Sequence, residues 1–506
     1  MMVLAKSTSG VLLETLLAGL ADGATCGQIR VNGLSMDSRK TGPGDLFLAC
    51  HGTRTSGVHF LRDAVKAGAG VIVAEADAGL QRFFNEVPVI TVSDLRTKIG
   101  IIAARFHDHP SAKMRVIGVT GTNGKTSVSC FIAQALAEIS SHKVGLIGTL
   151  GYGPYQLLHA GPNTTPDPVT VQSTLADFYR QGIDTVVMEV TSIGLDQGRV
   201  RGVDFNIGIF TNLTIDHLDY HGDIDTYAEA KKQLFTSHEI RHAIINIDDT
   251  YGRRLFREIA TTVPVTGYGL VDQFSVVTVA ADTSMVQAMI EEDDPGMTLA
   301  IKSSWGEAKL PVAIGGRYNA YNLLASLAAL CVMGIPFPQA IERLSQLSPV
   351  PGRMEKFGSS GRPTVFVDYA HTPDALQHAL TYVKSQTTGK LVCVFGCGGN
   401  RDRSKRPQMG AIAETYADRV VLTNDNPRHE DPQAIIAEIL NGISDRGRVR
   451  VELDRNKAIT DAIQSAGADD MILVAGKGHE AYQEIAGQRY PFSDRQLVRQ
   501  LLGAEA

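Results

Sequence analysis

Apolar residues along the chain recur in two rhythms, short unbroken runs and stretches with a repeat near 3.6, and the two alternate. From Arg115 to Val119 the chain is mostly apolar. After a polar, glycine-containing stretch, Val128, Phe131, Ile132, Leu136 and Ile139 fall on one helical face. Apolar runs at 143–150, 184–190, 205–211 and 243–247 predict further strands, with helical patterns between them and a helix beginning near Asp225. Pro349-Val350-Pro351-Gly352 then makes a stiff joint. Beyond it, Thr364–Asp368, Lys390–Phe395, Arg419–Thr423, Val449–Leu453 and Met471–Ala475 read as strands. Near the start, Val11 to Leu20 reads as a helix capped by Ser7, Thr8 or Ser9, followed by a helix near 58–67 and a strand from Gly70 to Ala74. Alternation of this kind predicts an α/β fold whose parallel sheets carry helices on both faces. The expected domains are residues 1–110, a small α/β unit, 111–348, and 349–506.

Composition supports that division. With 506 residues the chain is long enough for about three domains at ~150 residues each. Hydrophobic residues make up 43% and charged ones 20%, an ordinary globular balance. A net charge of −6 gives no reason to expect nucleic acid. No apolar run approaches the ~20 residues of a membrane span, and Glu14 breaks the apolar core a signal peptide would need. Cysteines at 26, 50, 130, 331, 393 and 397 form no Cys-x-x-Cys pair, so reduced thiols in a cytoplasmic protein are expected.

The polar stretch Gly118-Val119-Thr120-Gly121-Thr122-Asn123-Gly124-Lys125-Thr126 lies between a strand and a helix, the context of a phosphate-binding loop. Glycines let backbone N–H groups crowd round an anion, and the helix N-terminus adds partial positive charge. Lys125 is placed to reach terminal phosphates and the Thr126 hydroxyl to ligate Mg²⁺. The common pattern would have glycine where Val119 stands. Ligands of open parallel sheets gather at the carboxyl ends of the strands, where several polar clusters fall. Asn163-Thr164-Thr165-Pro166 follows one strand, and Glu189 ends another, suggesting a metal partner for its carboxylate. Asp216, His217, Asp219 and His221 crowd into the segment after 205–211, and Lys231-Lys232 follow on a helix. In the last block, Tyr369 to Pro373, Gly396 to Arg406, Asn424 to Pro432 and Gly476 to Glu480 are polar loops after strands. Arg401, Arg403, Lys405 and Arg406 suit phosphate or carboxylate ligands.

These motifs together resemble the Mur ligase family of bacterial cell-wall synthesis, over nearly the whole chain. Thr120 to Thr126 is similar to that family's phosphate loop, which accounts for Val119. Asn163 to Pro166, Thr211-Asn212-Leu213, Asp216 to Asp219, Gly316-Arg317-Tyr318-Asn319, Pro351 to Glu355, Asp368 to His371, Asp425-Asn426-Pro427-Arg428 and Gly476-Lys477-Gly478-His479-Glu480 resemble further family motifs. The resemblance implies a uridine-nucleotide-binding N-terminal domain, a central P-loop ATPase-like domain and a C-terminal, Rossmann-like, amino-acid-binding domain. It implies an ATP-dependent amide ligase using Mg²⁺. Met36, Ser38 and Thr53-Arg54-Thr55, with Asn163, Thr164, Thr165, Thr191, Gln197 and Arg199, would bind a UDP-muramoyl-peptide. Gly121, Thr122, Asn123, Gly124, Lys125, Thr126, Ser127, Asn319 and His371 would bind ATP. Thr126, Glu189, His217 and Lys231 would serve magnesium, with Lys231 carbamylated. Lys125, Lys231, His217 and Glu189 would carry catalysis. The chain departs from the family pattern at Ser56, where aspartate is common, Thr191, where serine is frequent, and Ile193, where histidine is frequent.

Arg401, Asp425, Asn426, Pro427, Arg428, Gly476 and Glu480 would bind the incoming amino acid. Arg428 facing a substrate carboxylate favours meso-diaminopimelate over L-lysine, because guanidinium pairs with carboxylate through two parallel hydrogen bonds. A lysine-adding ligase, a folylpolyglutamate synthase-like ligase and a P-loop switch protein are the alternatives. Partners are expected to be small molecules only, with the chain a monomer.

Overall fold

The structure, a computed structural model, describes residues 10–21, 28–52, 55–81, 83–139, 142–161, 163–274, 283–293, 296–358 and 361–503. Thr53 and Arg54, the cap candidates Ser7 to Ser9, and Cys26 lie outside these. The chain forms two compact units. The first is Met1–Thr120, Ile139–Gly208 and Ala230–His242; the second is Gly121–Glu138, Ile209–Glu229 and Ala243–Ala506.

The first unit begins with a five-stranded sheet in the order Leu34–Ser35, Leu46–Ala49, Val71–Glu75, Val87–Val92, Phe83–Phe84, parallel except for the last pair. Successive side chains of a strand face opposite ways, and Leu46–Ala49 and Val71–Glu75 are buried at every position, so on both faces. Leu46, Leu48, Val71 and Val73 pack with Leu13, Leu16 and the helix Leu95–Phe106. Phe47, Ala49, Ile72 and Ala74 pack with Leu61 and Ala64 of the helix Leu61–Lys66. The helix expected over Val11–Leu20 is shorter. Val11–Leu12 is a strand paired with Arg30–Val31, and the helix is Leu13–Leu17. Strand pairing took those first residues because Val31 offers a partner that local propensity does not show. Ser56 caps the short helix Gly57–Phe60 by accepting from the Val58 N–H, which gives this departure from the family pattern a local role.

The same unit holds strands in the order Gly151–Pro154, Val144–Gly148, Thr185–Glu189, Arg115–Thr120. The last three are parallel, and the first is antiparallel to its neighbour. Val144–Gly148 and Thr185–Glu189 are buried at every position, as unbroken apolar runs require.

In the second unit, Val265–Leu270 runs parallel to Thr283–Asp293, and Gly296–Ser303 and Gly306–Val312 follow antiparallel. This extension had not been read from the sequence. Its strand Gly296–Ser303 alternates buried and half-exposed positions, with Met297, Leu299 and Ile301 inward. The C-terminal sheet has the order Glu355–Phe357, Thr364–Asp368, Met471–Ala475, Leu391–Phe395, Arg419–Leu422, Val449–Val451, parallel except for the first pair. Phe366, Cys393, Phe395 and Leu473 face one helical layer, and Val365, Val367, Val394 and Val474 face the other. A two-stranded hairpin, Tyr482–Ile485 with Gln488–Pro491, follows the last parallel strand in sequence.

Among the described residues no helix is long and apolar enough to cross a membrane. Cys50, Cys130, Cys331, Cys393 and Cys397 are free thiols, all but Cys50 buried.

Candidate active site

In the second unit the turn Gly121–Gly124 leads into the helix Lys125–Ala137. Gly121 (φ 144°) and Gly124 (φ 87°) adopt backbone angles that side chains rarely tolerate. A Cβ at Gly121 would sit 1.9 Å from Thr211 Oγ1, and one at Gly124 2.5 Å from Asn322 Oδ1. The segment after 205–211 braces this turn. Thr122 N–H donates to Asn212 O (2.9 Å), Asn123 N–H to Asn212 Oδ1 (2.9 Å), and Thr211 Oγ1 to Asn123 O (2.6 Å). Lys125 Nζ donates back to Gly121 O (2.9 Å) and Thr122 O (2.8 Å), so the ammonium lies over the turn. Thr126 and Ser127 are buried in the first helical turn. Asn319 is buried, its Nδ2 donating to Gly315 O, and it accepts from Asn322.

Elements of the C-terminal block meet this turn within the same unit. Asn123 Nδ2 donates to Asp374 Oδ2 (2.9 Å), and Arg353 Nη2 donates to Thr126 Oγ1 (2.8 Å). Asp216 is the centre of a charged cluster. His217 Nε2 lies 3.5 Å from it, Lys405 Nζ 3.9 Å and His371 Nε2 4.0 Å. Burial pushes the Asp216 carboxyl up, but His217, His371 and Lys405 outweigh it and hold it at about 2. Burial, then Lys405, lowers His371 to about 4, so its imidazole is neutral at pH 7. His217 has φ 55°, a left-handed conformation that costs a non-glycine residue of order 1 kcal/mol and recurs at functional sites.

The expected muramoyl-peptide residues of the first unit gather round Thr165. Its hydroxyl donates to Glu189 O (2.9 Å) and accepts from the Thr191 N–H (3.0 Å), while its carbonyl accepts from Arg199 Nη1 (2.8 Å). Gln197 Oε1 holds Arg199 in turn. Thr164 Oγ1 is 3.0 Å from Thr149 Oγ1, and Asn163 O accepts from the Tyr152 hydroxyl. Thr191 caps the helix Ser192–Asp196 by accepting from Gly194 N–H, a role serine also fills; Ile193 is half-buried on that helix. Glu189 is 1% exposed and accepts from Thr149 N–H (2.7 Å) and Oγ1 (3.0 Å), which fix its carboxylate. A Cβ at Gly148 would come within 2.4 Å of Glu189 Oε1. Ser38 is buried at the start of the short helix Ser38–Lys40, Met36 packs on the core beside it, and Thr55 is exposed. Lys231 is 1% exposed, on the helix Ile224–Thr236.

Magnesium takes oxygen donors and keeps several waters, using one or two carboxylates with substrate phosphates. The Glu189 carboxylate and the Thr126 hydroxyl are donors of that kind. Among the described residues no three His, Cys, Asp or Glu side chains form a metal-binding cluster.

Loops following three C-terminal strands make a third constellation in the second unit. Asp425 is buried, and Asn426 N–H donates to its Oδ1 (2.6 Å). Gly476 (φ 111°) leaves space for Asp425 Oδ2, which a Cβ would approach to 2.6 Å. Asn426 Nδ2 donates to Glu480 Oε2 (2.8 Å). Arg428 Nη1 donates to Gly399 O (2.7 Å), and its Nε lies 3.6 Å from Glu484 Oε2. Burial, and then the charge of Arg428, lower the Arg401 guanidinium; the two side chains flank Gly398, where a Cβ would lie 2.9 Å from Arg428 Nη1 and 3.8 Å from Arg401 Cγ. A Cβ at Gly399 would come within 2.0 Å of the Pro427 carbonyl. Sequence reasoning had named Lys405 among the cations suited to phosphate or carboxylate ligands, and Arg353 and Lys477 within motifs but without roles; it had not singled out Asp374 or Glu484.

Three family models match in order: the Mur ligase family catalytic domain over residues 30–107, the Mur ligase middle domain over 119–330, and the Mur ligase glutamate ligase domain over 352–478. A protein of Coxiella burnetii named UDP-N-acetylmuramoyl-L-alanyl-D-glutamate–2,6-diaminopimelate ligase is 44% identical over 482 residues, covering 95% of this chain and 97% of its own. A Chromobacterium violaceum protein of the same name is 47% identical, covering 92% and 93%. A solved structure of a ligase with that name is 33% identical, with a TM-score of 0.68 over 98% of this chain and 99% of its own. Mycobacterium tuberculosis folylpolyglutamate synthase, solved with ADP and AMPPCP, shares the fold at 19% identity, with a TM-score of 0.63 over 81% of this chain and 96% of its own. With relatives of this identity matching over nearly its full length, the chain belongs to the Mur ligase family.

Proposed function

We propose that the chain joins meso-diaminopimelate to the D-glutamyl γ-carboxyl of UDP-N-acetylmuramoyl-L-alanyl-D-glutamate, at the expense of ATP, in the synthesis of peptidoglycan precursors. The observation that carries this reading is the constellation of Arg428 and Arg401 beside Gly398, with Asn426 bonded to the Glu480 carboxylate, in a chain whose near-full-length relatives bear that ligase's name. An amino-acid terminus presents a carboxylate and an ammonium together, which two such groups of opposite sign complement.

A carboxylate does not acylate an amine, because oxide is a poor leaving group. Attack of the substrate carboxylate on the ATP γ-phosphorus makes an acyl phosphate and ADP; the incoming amine then expels phosphate. Two anions meet in the first step, so cationic screening dominates. Lys125 swings from its own turn carbonyls to the phosphates, while the backbone N–H groups of Gly121 to Thr126 and Ser127 cradle them. Asn319 and His371 border the nucleotide. Mg²⁺ supplies charge neutralisation when bound, held by Thr126, Glu189, His217 and carbamylated Lys231. Met36, Ser38, Thr53, Arg54 and Thr55 hold the UDP moiety, and Asn163, Thr164, Thr165, Thr191, Gln197 and Arg199 the muramoyl peptide. Asp425, Pro427 and Gly476 shape the amino-acid site, and Pro351-Gly352 serves as the hinge that closes it. The domains are 1–110 for the uridine nucleotide, 111–348 for ATP and 349–506 for the amino acid. The protein works as a cytoplasmic monomer, and its product sustains cell shape and division.

The test is phosphate release by the purified protein. It should require the UDP-muramoyl-dipeptide and diaminopimelate together, with L-lysine poor by orders of magnitude. Losing a buried charge pair costs ~2–5 kcal/mol, tens to thousands of fold, so Arg428→Ala should lose most diaminopimelate activity and keep ATP binding. Equal use of L-lysine would sink the Arg428 assignment. ATP hydrolysis without the two co-substrates would favour a switch protein, and glutamate addition to a folate a folylpolyglutamate synthase-like ligase.

A further inference from the structure

Lys477 is fully buried, yet it belongs to the loop after strand Met471–Ala475. A buried ammonium is costly unless its donors are used, and here they are. Nζ donates to Asn426 Oδ1 (3.0 Å) and to Glu480 Oε2 (2.7 Å), and lies 5.6 Å from the centroid of the Tyr482 ring. Asn426 Oδ1 also accepts from the Glu484 N–H (2.9 Å). An ammonium and a backbone N–H can only donate, so the asparagine must turn its oxygen to them and its NH₂ to Glu480. Both Lys477 and Asn426 take Glu480 Oε2, and among the described residues Oε1 accepts no hydrogen bond.

We propose that Lys477 is a positioning residue for amino-acid recognition. Together with the Glu484 N–H it sets which way round the Asn426 amide lies, and it pins one Glu480 oxygen, leaving the other to receive the ammonium of the substrate's distal amino-acid terminus. This rests on the reading of these loops as the amino-acid site. Without Lys477, only the Glu484 N–H holds the Asn426 oxygen and only the Asn426 NH₂ holds Glu480, which is then looser to swing, so the cost falls on this substrate alone.

The experiment compares steady-state kinetics of the full chain with those of Lys477→Met, Glu480→Gln, the double variant and Arg428→Ala, each checked for a cooperative melt. Charge-assisted hydrogen bonds are the stronger kind, and their loss predicts a KM for diaminopimelate raised about tenfold or more in Lys477→Met. KM for ATP and for the UDP-muramoyl-dipeptide should stay within about twofold, since the residues proposed to bind them are not part of this loop network. Because Lys477 acts through Glu480, the double variant should be little worse than the worse single one. An unchanged diaminopimelate KM, a rise in all three KM values together, or fully additive effects would overturn the proposal. If Lys477→Met does not fold, Lys477→Arg keeps the charge with altered reach; a selective rise in diaminopimelate KM supports the role, and wild-type kinetics refutes it. Arg428→Ala reports separately on the site. A raised diaminopimelate KM there beside an unaffected Lys477→Met sinks only this inference. An unmutated protein that does not use diaminopimelate sinks the underlying reading as well.

Discussion

Arg353 Nη2 donates to Thr126 Oγ1 at 2.8 Å, which ties the loop before the C-terminal sheet to the first turn of the phosphate-loop helix. The guanidinium stacks 4.6 Å over the Tyr369 ring, and its Nε has no hydrogen-bond partner among the described residues. A cation held against the hydroxyl proposed to ligate magnesium is placed to meet charge on a transferring phosphoryl. Arg353→Ala is therefore expected to lower the rate of amide formation about 10²-fold, the scale of removing one preorganised donor. Arg353→Lys should restore little, since a point charge neither stacks nor forks. Rates with saturating substrates check this, and wild-type turnover in Arg353→Ala would remove the residue from the chemistry.

Lys125 Nζ donates to the carbonyls of its own turn, Gly121 O and Thr122 O. Its replacement by alanine should leave the fold intact but abolish amide formation, since it removes the positive charge offered to the transferring phosphoryl. Thermal melting beside a ligase assay separates the two effects. An active Lys125→Ala enzyme would rule out the phosphoryl-binding role.

Lys231 is buried, and a buried ammonium would repel magnesium, whereas its carbamate is an oxygen donor of the kind the ion prefers. Lys231→Ala should be inactive, with partial recovery when a short carboxylic acid is added to the buffer. Mass spectrometry or a crystal structure with nucleotide and magnesium that finds an unmodified lysine distant from the metal would count against this.

Four histidines predict acid sensitivity. Burial lowers His107, His238 and His371 to about 4, and His479 to about 3; Arg180 adds to the effect at His107, Lys405 at His371 and Arg353 at His479. Each folded-state value lies below the ordinary 6.5, so between them the unfolded chain binds more protons. Stability from these groups is thus full above pH 6.5 and falls as pH drops toward 4, with a slope of about 1.4 kcal/mol per pH unit for each proton taken up. Melting temperature should drop between pH 7 and pH 5. The drop should be smaller in His238→Gln, which removes one of the four groups. A melting temperature flat over that range would contradict the burial argument.

Much of the fold was legible because its signals are local. The apolar run Arg115–Val119, the glycines after it and the helical face from Val128 onward are set by residues a few positions apart. The structure keeps strands at all five C-terminal runs, Thr364–Asp368 and Met471–Ala475 with the same bounds. Local reasoning failed at Val11–Leu12, where a partner strand overrode helical propensity. It also failed over 265–312, where half-buried alternation gives a weaker signal than a buried run.

What the sequence by itself determined is the alternation of strand and helix, the phosphate loop and the family motifs at strand ends, because each is written in spacings short enough for backbone geometry to enforce. What only the tertiary structure decided is which of those ends meet. Strand Met471–Ala475 inserts between Thr364–Asp368 and Leu391–Phe395, and Arg419–Leu422 lies beyond. That order lets Lys477 reach Asn426, whose side-chain oxygen also accepts from the Glu484 N–H. Asp216 likewise gains Lys405 and His371 from a distant part of the chain. Pairings of this kind depend on burial and on strand order. A buried charge must find a partner wherever the fold supplies one, and no periodicity along the chain encodes which residue that is.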